Sequence, residues 1–181
     1  MLLCSVSNHN RELGMKAISE ASVPPFFRYN GWMSDQLRDR GEYEVVPQKL
    51  VEHYKLLASE AALLGVEQAA LAEKRCVYLC VNGKPWIYAE TIMPFQTLTA
   101  FPGLRTLGRT PLGDFLKQNG ARRGNICFFS CDSQTDWFKV ASSNVDLSSK
   151  ELLLRQSVFT FSSGEKLLIS EMLLQPASFF L

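Results

Sequence analysis

Two charged residues occupy positions where the sequence predicts buried strand, and they are the strongest candidates for chemistry. Arg75 opens the apolar stretch R-C-V-Y-L-C-V, and Glu171 lies inside the apolar stretch L-L-I-S-E-M-L-L. Because alternate residues of a strand share one face, Arg75 shares its face with Val77, and Glu171 shares its face with Ile169. A buried charge is costly unless it is paired, so each residue needs a partner of opposite sign or a polar cavity.

Two interpretations of this pair of charges are open. In the first, Arg75 and Glu171 pair with each other or reach solvent at the ends of their strands. In the second, they line a small closed pocket, where Arg75 binds a ligand carboxylate through two parallel hydrogen bonds. Glu171 then meets a hydroxyl group or a proton at the other end of the ligand. The second interpretation predicts a site for a small anionic molecule.

Composition argues against several other functions. The 19 Lys and Arg against 18 Asp and Glu leave a net charge of +1, so no overall field attracts nucleic acid or an anionic membrane. No run approaches the roughly 20 apolar residues of a membrane span, and the first residues lack a secretion signal. The five cysteines lack the spacing of a metal site or a disulfide framework. We expect a cytoplasmic monomer that binds no nucleic acid, needs no metal or other cofactor, and does not insert into a membrane.

Two hairpins are predicted from turn chemistry. Asn82-Gly83 is the preferred pair for a two-residue turn that needs positive φ, which predicts strands over about 75–81 and 86–93. Ser162-Ser163-Gly164-Glu165 predicts a second hairpin turn, just before the strand that carries Glu171.

Two short helices are predicted from capping signals. One spans about 32–40, and the other spans about 111–118, with Thr110 as its capping residue and a proline at its first position. The segment after Glu42 starts as a strand, but 47–64 fits either a strand or a helix, because an apolar stripe at helical spacing follows a proline.

The order of these elements favours an α+β single domain, with helices packed on one face of a mainly antiparallel sheet around an enclosed pocket. A length of 181 residues suits one domain with one core. Residues 1–25, which end at Pro24-Pro25, are interpreted as a loosely structured leader, and 26–181 as the domain.

Three ordered blocks of the sequence carry a resemblance to a known family. They read R-C-V-Y-L-C-V-N-G-K-P-W-I-Y-A-E-T-I-M-P from Arg75, L-G-R-T-P-L-G-D-F-L from Leu107 and K-L-L-I-S-E-M-L-L-Q-P-A-S from Lys166. With these blocks the chain, from about Trp32 to its C-terminus, resembles chorismate pyruvate-lyase. The resemblance implies cofactor-free conversion of chorismate into 4-hydroxybenzoate and pyruvate, the first committed step of bacterial ubiquinone synthesis, on an antiparallel sheet with an enclosed product site.

The resemblance also implies roles for individual residues. Arg75 engages the carboxylate on the ring and Glu171 faces the oxygen at the opposite end, so both are catalytic and substrate-binding candidates. Met33 and Leu112 help to line and close the pocket. The family typically has arginine where this chain has Glu90, and that change of sign would be unfavourable for an anionic substrate if the side chain faced the pocket.

A second function class shares the implied fold. The fold resembles effector-binding domains of bacterial transcription regulators, so the alternative is a non-catalytic module that binds or senses a molecule like 4-hydroxybenzoate. Those regulators carry a DNA-binding helix-turn-helix module ahead of this fold. About 30 residues precede the resemblance here, which favours the lyase.

Overall fold

A seven-stranded antiparallel sheet dominates the computed structural model, which describes residues 14–147 and 149–175. The strands are β1 (Met15–Ala17), β2 (Tyr43–Lys55), β3 (Leu71–Val81), β4 (Lys84–Pro94), β5 (Arg122–Asp132), β6 (Glu151–Thr160) and β7 (Lys166–Leu173). Across the sheet they follow the order β1-β5-β6-β7-β4-β3-β2, and every neighbouring pair is antiparallel.

Short helices accompany the sheet in the described residues. They are α1 (Pro25–Arg28), α2 (Met33–Arg38), α3 (Ala58–Leu64), α4 (Phe95–Ala100), α5 (Leu112–Gln118) and α6 (Asp136–Ser142), with 3-10 turns at Glu20–Ser22 and Pro102–Thr106. The helices predicted near 32–40 and 111–118 are therefore confirmed as α2 and α5. The predicted cap of α5 is wrong, because Pro111 occupies the N-cap position and no side chain caps this helix.

Both predicted hairpins are confirmed. Asn82 and Gly83 have φ values of 50° and 73°, so both occupy the left-handed region that a tight turn between β3 and β4 requires. The Asn82 side chain also accepts a hydrogen bond of 2.8 Å from the Glu42 amide, which ties the turn to the start of β2. Gly164, with φ of 102°, lies in the turn between β6 and β7.

The ambiguous segment after Glu42 contains both a strand and a helix. β2 continues to Lys55, and α3 follows from Ala58 to Leu64. The pairing of β2 with β3 shifts register between Pro47 and Lys49, where a proline in a strand is tolerated because a bulge removes the need for its missing donor.

Helices cover both faces of the sheet, which corrects the expectation that they pack on one face. The front face carries Arg75 and Glu171, and α1, α2, α4 and α5 pack against it. On the back face, α3 packs near Ile92 and α6 packs near Tyr78. The physical reason is visible in β4, which is buried without alternation from Trp86 to its end and so presents apolar side chains in both directions. The α+β class is confirmed.

Part of the segment interpreted as a leader belongs to the sheet. Met15–Ala17 pairs with β5, and the side chains of Met15 and Val23 are buried. Residues 1–13 of that segment lie outside the described residues. Among the described helices, none has the length and apolar character needed to cross a membrane.

Candidate active site

A small cavity lies between the front face of the sheet and the helices α2 and α5. The cavity has a volume of about 60 Å³, and Arg75, Glu171, Met33 and Leu112 all line it. Its other walls are formed by Trp32, Ser34, Tyr43, Val45, Val77, Leu79, Ala89, Thr91, Gly113, Leu116, Arg123, Phe159 and Ile169. All four residues singled out in the sequence therefore meet at one place.

Arg75 projects from β3 into this cavity with its guanidinium partly free. Its Nη2 atom donates hydrogen bonds to the carbonyl of Gly108 at 2.8 Å and to the carbonyl of Thr110 at 3.2 Å. Within the described residues its Nε and Nη1 atoms donate no hydrogen bond, so the other donors of the planar group are available to a ligand. Burial lowers the pKa of Arg75, and the neighbouring Tyr43 acts in the opposite direction.

The loop that holds Arg75 explains the motif L-G-R-T-P-L-G. Gly108 has φ of 50°, a left-handed conformation that favours glycine, and its carbonyl is one of the two that hold the arginine. Arg109 then forms an ion pair of 2.8 Å with Glu44 at the surface, which attaches the loop to β2.

Glu171 is paired with an arginine that sequence reasoning misses. Its Oε2 atom accepts a hydrogen bond of 2.5 Å from Nε of Arg155, a side chain that is only 1% exposed. The Nη1 atom of Arg155 donates to the carbonyls of Phe27 and Tyr29 at 3.2 and 3.0 Å. Arg75 and Glu171 therefore neither pair with each other nor reach solvent, and the interpretation that required this is wrong. Strand alternation in L-L-L-R-Q-S-V-F was the available signal, since it places Arg155 on the same face as Leu153.

Met33 and Leu112 are the first residues of α2 and α5. Their amide groups have no acceptor inside their own helices, as at every helix start. The two helices approach closely at Gly113, because a Cβ atom there would lie 2.9 Å from Oγ of Ser34.

Two surface ion pairs join α2 to α5 beside the cavity; we call them the helix clasp. Arg38 donates two hydrogen bonds to Asp114, at 3.0 and 2.6 Å. Lys117 approaches both carboxylate oxygens of Asp35 at 2.7 Å. The guanidinium of Arg38 holds the pKa of Asp114 below its usual value.

Glu90 lies on the back face of the sheet, away from the cavity. Its neighbours Ala89 and Thr91 line the cavity, and strand alternation turns Glu90 the other way. There it accepts a hydrogen bond of 3.0 Å from the Tyr88 hydroxyl and lies 3.4 Å from Nζ of Lys74. The change of sign relative to the family therefore does not bring a negative charge into the cavity.

Comparison with known proteins assigns the chain to a family. A family model described as chorismate lyase matches residues 14–180. The chain belongs to the chorismate lyase family. A protein named probable chorismate pyruvate-lyase from Thiobacillus denitrificans is 29% identical over 153 residues, which cover 80% of this chain and 81% of that protein. The chorismate pyruvate-lyase of an Enterobacter species is 31% identical over 123 residues, covering 67% of this chain and 62% of that protein.

Two of the solved structures with a similar fold are an effector domain and a transcriptional regulator. The effector domain of PhnF from Mycobacterium smegmatis aligns with a TM-score of 0.59 at 16% identity, covering 81% of this chain and 90% of that one. A GntR-family transcriptional regulator from Bacillus cereus aligns with a TM-score of 0.51 at 16% identity, covering 74% of this chain and 92% of that one. At such low identity the likeness shows that these structures share the fold of this chorismate lyase family member. It shows nothing about the activity of this chain.

Proposed function

We propose that this protein is a chorismate pyruvate-lyase that converts chorismate into 4-hydroxybenzoate and pyruvate without a cofactor. One observation carries the proposal: in a member of the chorismate lyase family, a partly free Arg75 and a buried Glu171 face the same small cavity. A small anionic ring with a carboxylate at one end and an oxygen at the other matches that arrangement of charges.

Arg75 binds the carboxylate on the ring of the substrate. Its Nε and Nη1 donors bear no hydrogen bond from the described residues, so either one can donate a charge-assisted hydrogen bond to a carboxylate. Because the loop carbonyls of Gly108 and Thr110 already hold the other nitrogen, the group is oriented before the ligand arrives. Met33 and Leu112 line the cavity and help to close it over the ring.

The protein needs only to orient the substrate and to stabilise the charge that develops during the reaction. The bond between C3 of the ring and the ether oxygen breaks, the hydrogen on C4 leaves, and the ring becomes aromatic. The departing enolpyruvyl group gains a proton and becomes pyruvate. Glu171 holds or exchanges a proton near the oxygen on C4, and the fixed charges around it stabilise charge as it develops.

We also propose a cellular setting for the reaction. The protein acts as a monomer in the cytoplasm, and its 4-hydroxybenzoate supplies the aromatic ring for ubiquinone synthesis.

Incubation of the purified protein with chorismate tests the activity directly. We expect 4-hydroxybenzoate and pyruvate in equal amounts, the first measured by chromatography and the second by reduction with lactate dehydrogenase. Glu171→Gln is the matched control, since it keeps the size of the side chain and an oxygen that can accept from Arg155. Product formation no faster than in buffer alone would overturn the proposal.

The alternative is a binding module without turnover, and the observation that favours it is that a buried cavity with a partly free arginine suffices to hold a small carboxylate without any reaction. Calorimetry with 4-hydroxybenzoate separates the two functions. Binding of 4-hydroxybenzoate together with no conversion of chorismate would favour the sensor.

A further inference from the structure

Arg123 carries a buried nitrogen that no group in the described residues satisfies. It lies near the start of β5 and lines the cavity, and its Nη1 atom is buried without a hydrogen-bond partner. The central carbon of its guanidinium lies 4.8 Å from the centre of the Phe159 ring, a cation–π contact that does not satisfy the Nη1 donor. A buried cationic donor without an acceptor is costly, which calls for an explanation.

Arg123 and Arg75 lie on opposite sides of β7 in the sheet. β5 and β3 lie four strand spacings apart in the sheet, so the two backbones are separated by roughly 19 Å, at about 4.8 Å per strand. β7, which carries Glu171, lies two strands from each of them. The two arginines therefore enter the cavity from strands on opposite sides of the strand that carries Glu171.

Electrostatics link Arg123 to the Glu171 side of the cavity. Burial lowers the pKa of Arg123 to about 10, the carboxylate of Glu171 counteracts part of that effect, and the cation of Arg155 adds to it. An anion placed beside Arg123 would offset the cost of burying its charge.

We propose that Arg123 binds the second carboxylate of chorismate, the one on the enolpyruvyl side chain. This inference rests on the proposed function. Chorismate has two carboxylates: one on C1 of the ring, and one on the group attached at C3, next to the oxygen that faces Glu171. With Arg75 on the first carboxylate, the second extends past Glu171 toward the flank that Arg123 occupies. Arg123 is then a substrate-binding residue that selects a dicarboxylate.

A substrate-binding role of Arg123 affects substrate and product differently, whereas a purely structural role does not. The second carboxylate leaves with pyruvate, so Arg123 contacts the substrate and not 4-hydroxybenzoate, which has one carboxylate. Loss of Arg123 should weaken chorismate binding and spare 4-hydroxybenzoate binding, whereas loss of Arg75 should weaken both.

Calorimetry in the Glu171→Gln background, where turnover is blocked, measures this difference. We expect Arg123→Gln to weaken chorismate binding about 10- to 100-fold, as expected for a charged hydrogen bond, and to change 4-hydroxybenzoate binding by less than about twofold. Arg122→Gln, a change in the exposed neighbouring arginine, is the matched control and should change neither affinity. Arg123→Lys keeps the positive charge but not the planar set of donors, so it should bind chorismate more tightly than Arg123→Gln and less tightly than the parent. If Arg123→Gln does not fold, Arg123→Lys provides the test.

The outcomes separate this inference from the proposed function. If the wild-type protein converts chorismate and both Arg123 variants bind it as tightly as their parent, the inference is wrong and the function stands. Equal weakening of chorismate and 4-hydroxybenzoate binding would also overturn the inference, because it would indicate a structural role. If no turnover occurs but chorismate binding depends on Arg123, the inference stands and the lyase proposal fails. Absence of both turnover and chorismate binding would overturn both.

Discussion

The buried ion pair between Glu171 and Arg155 means that a substitution of Glu171 affects the stability of the fold as well as catalysis. Arg155 is 1% exposed, and its Nη2 atom is already buried without a hydrogen-bond partner among the described residues. A buried pair adds little net stability by itself, but removal of one partner leaves an uncompensated charge. Truncation of Glu171 therefore has an effect on the fold in addition to any effect on catalysis.

Glu171→Ala should lower the free energy of unfolding by about 3–5 kcal/mol, because Arg155 would keep a buried charge without a partner. Glu171→Gln should cost much less and still abolish turnover. Urea denaturation of both variants measures the difference. The double variant Glu171→Ala with Arg155→Met should recover stability relative to Glu171→Ala alone, and equal stability of Glu171→Ala and Glu171→Gln would contradict this account.

Arg75→Ala should weaken binding of 4-hydroxybenzoate by about 2–4 kcal/mol, because the carboxylate of the ligand would be buried without its charged partner. Calorimetry of 4-hydroxybenzoate binding measures it. The control is Arg122→Ala, which changes an exposed arginine that does not line the cavity. Wild-type affinity in Arg75→Ala would remove this arginine from the site.

At the scale of elements, the closure of the cavity depends on how α2 meets α5. Gly113 permits the close approach of the two helices beside the cavity, and the helix clasp holds their outer surfaces together. Neither contact is predictable from local sequence, because the two helices are more than 70 residues apart in the chain. Each can be tested separately.

Gly113→Ala should lower both the melting temperature and the turnover rate, since the new Cβ would lie 2.9 Å from Oγ of Ser34 and push the helices apart. Removal of that oxygen by Ser34→Ala should relieve the clash, because the next contacts are 3.5 and 3.8 Å away. A double-mutant cycle on unfolding free energy should therefore show a coupling above about 0.5 kcal/mol. Additive effects would show that the helices do not meet in this way.

The helix clasp should weaken in acid. The pKa of Asp114 is lowered in the folded protein, so its stabilising contribution is present above the unfolded value of about 3.9 and is lost as the pH falls through the folded value. The wild type should therefore exceed Asp114→Asn in unfolding free energy at neutral pH, by about 0.2–1 kcal/mol for so exposed a pair, and should lose that advantage in acid, below the unfolded pKa. A difference that does not change with pH would contradict the assignment.

At the scale of the whole molecule, the sheet separates two environments. The front face contains the cavity, and the back face contains the cluster of Glu90, Lys74 and Tyr88. Substitutions on the two faces should therefore have different consequences, even at adjacent positions of one strand.

Glu90→Ala should lower stability, by about 1–3 kcal/mol for the unpaired groups that it leaves, and should change kcat/KM for chorismate by less than about twofold. The adjacent change Ala89→Val should show the opposite pattern, with reduced activity, because Ala89 lines the cavity. Thermal denaturation and steady-state kinetics of both variants test the separation. A large loss of activity in Glu90→Ala would show that the back face influences the site.

Features that depend on neighbouring residues could be predicted from the sequence. The turn at Asn82-Gly83 follows from backbone conformations that these two residues tolerate, and the inward direction of Arg75 and Glu171 follows from the alternation of strand side chains. The α+β class follows from the order of such elements.

Contacts between distant segments could not be predicted in this way. Arg155 reaches Glu171 from β6, the carbonyl of Gly108 reaches Arg75 from a loop, and Arg123 faces the cavity from the far flank of the sheet. The face on which Glu90 lies, and the presence of helices on both faces, also depended on the assembled sheet. The physical reason is that local sequence sets conformation and direction, whereas contacts between distant segments depend on strand order and register, which no local pattern encodes.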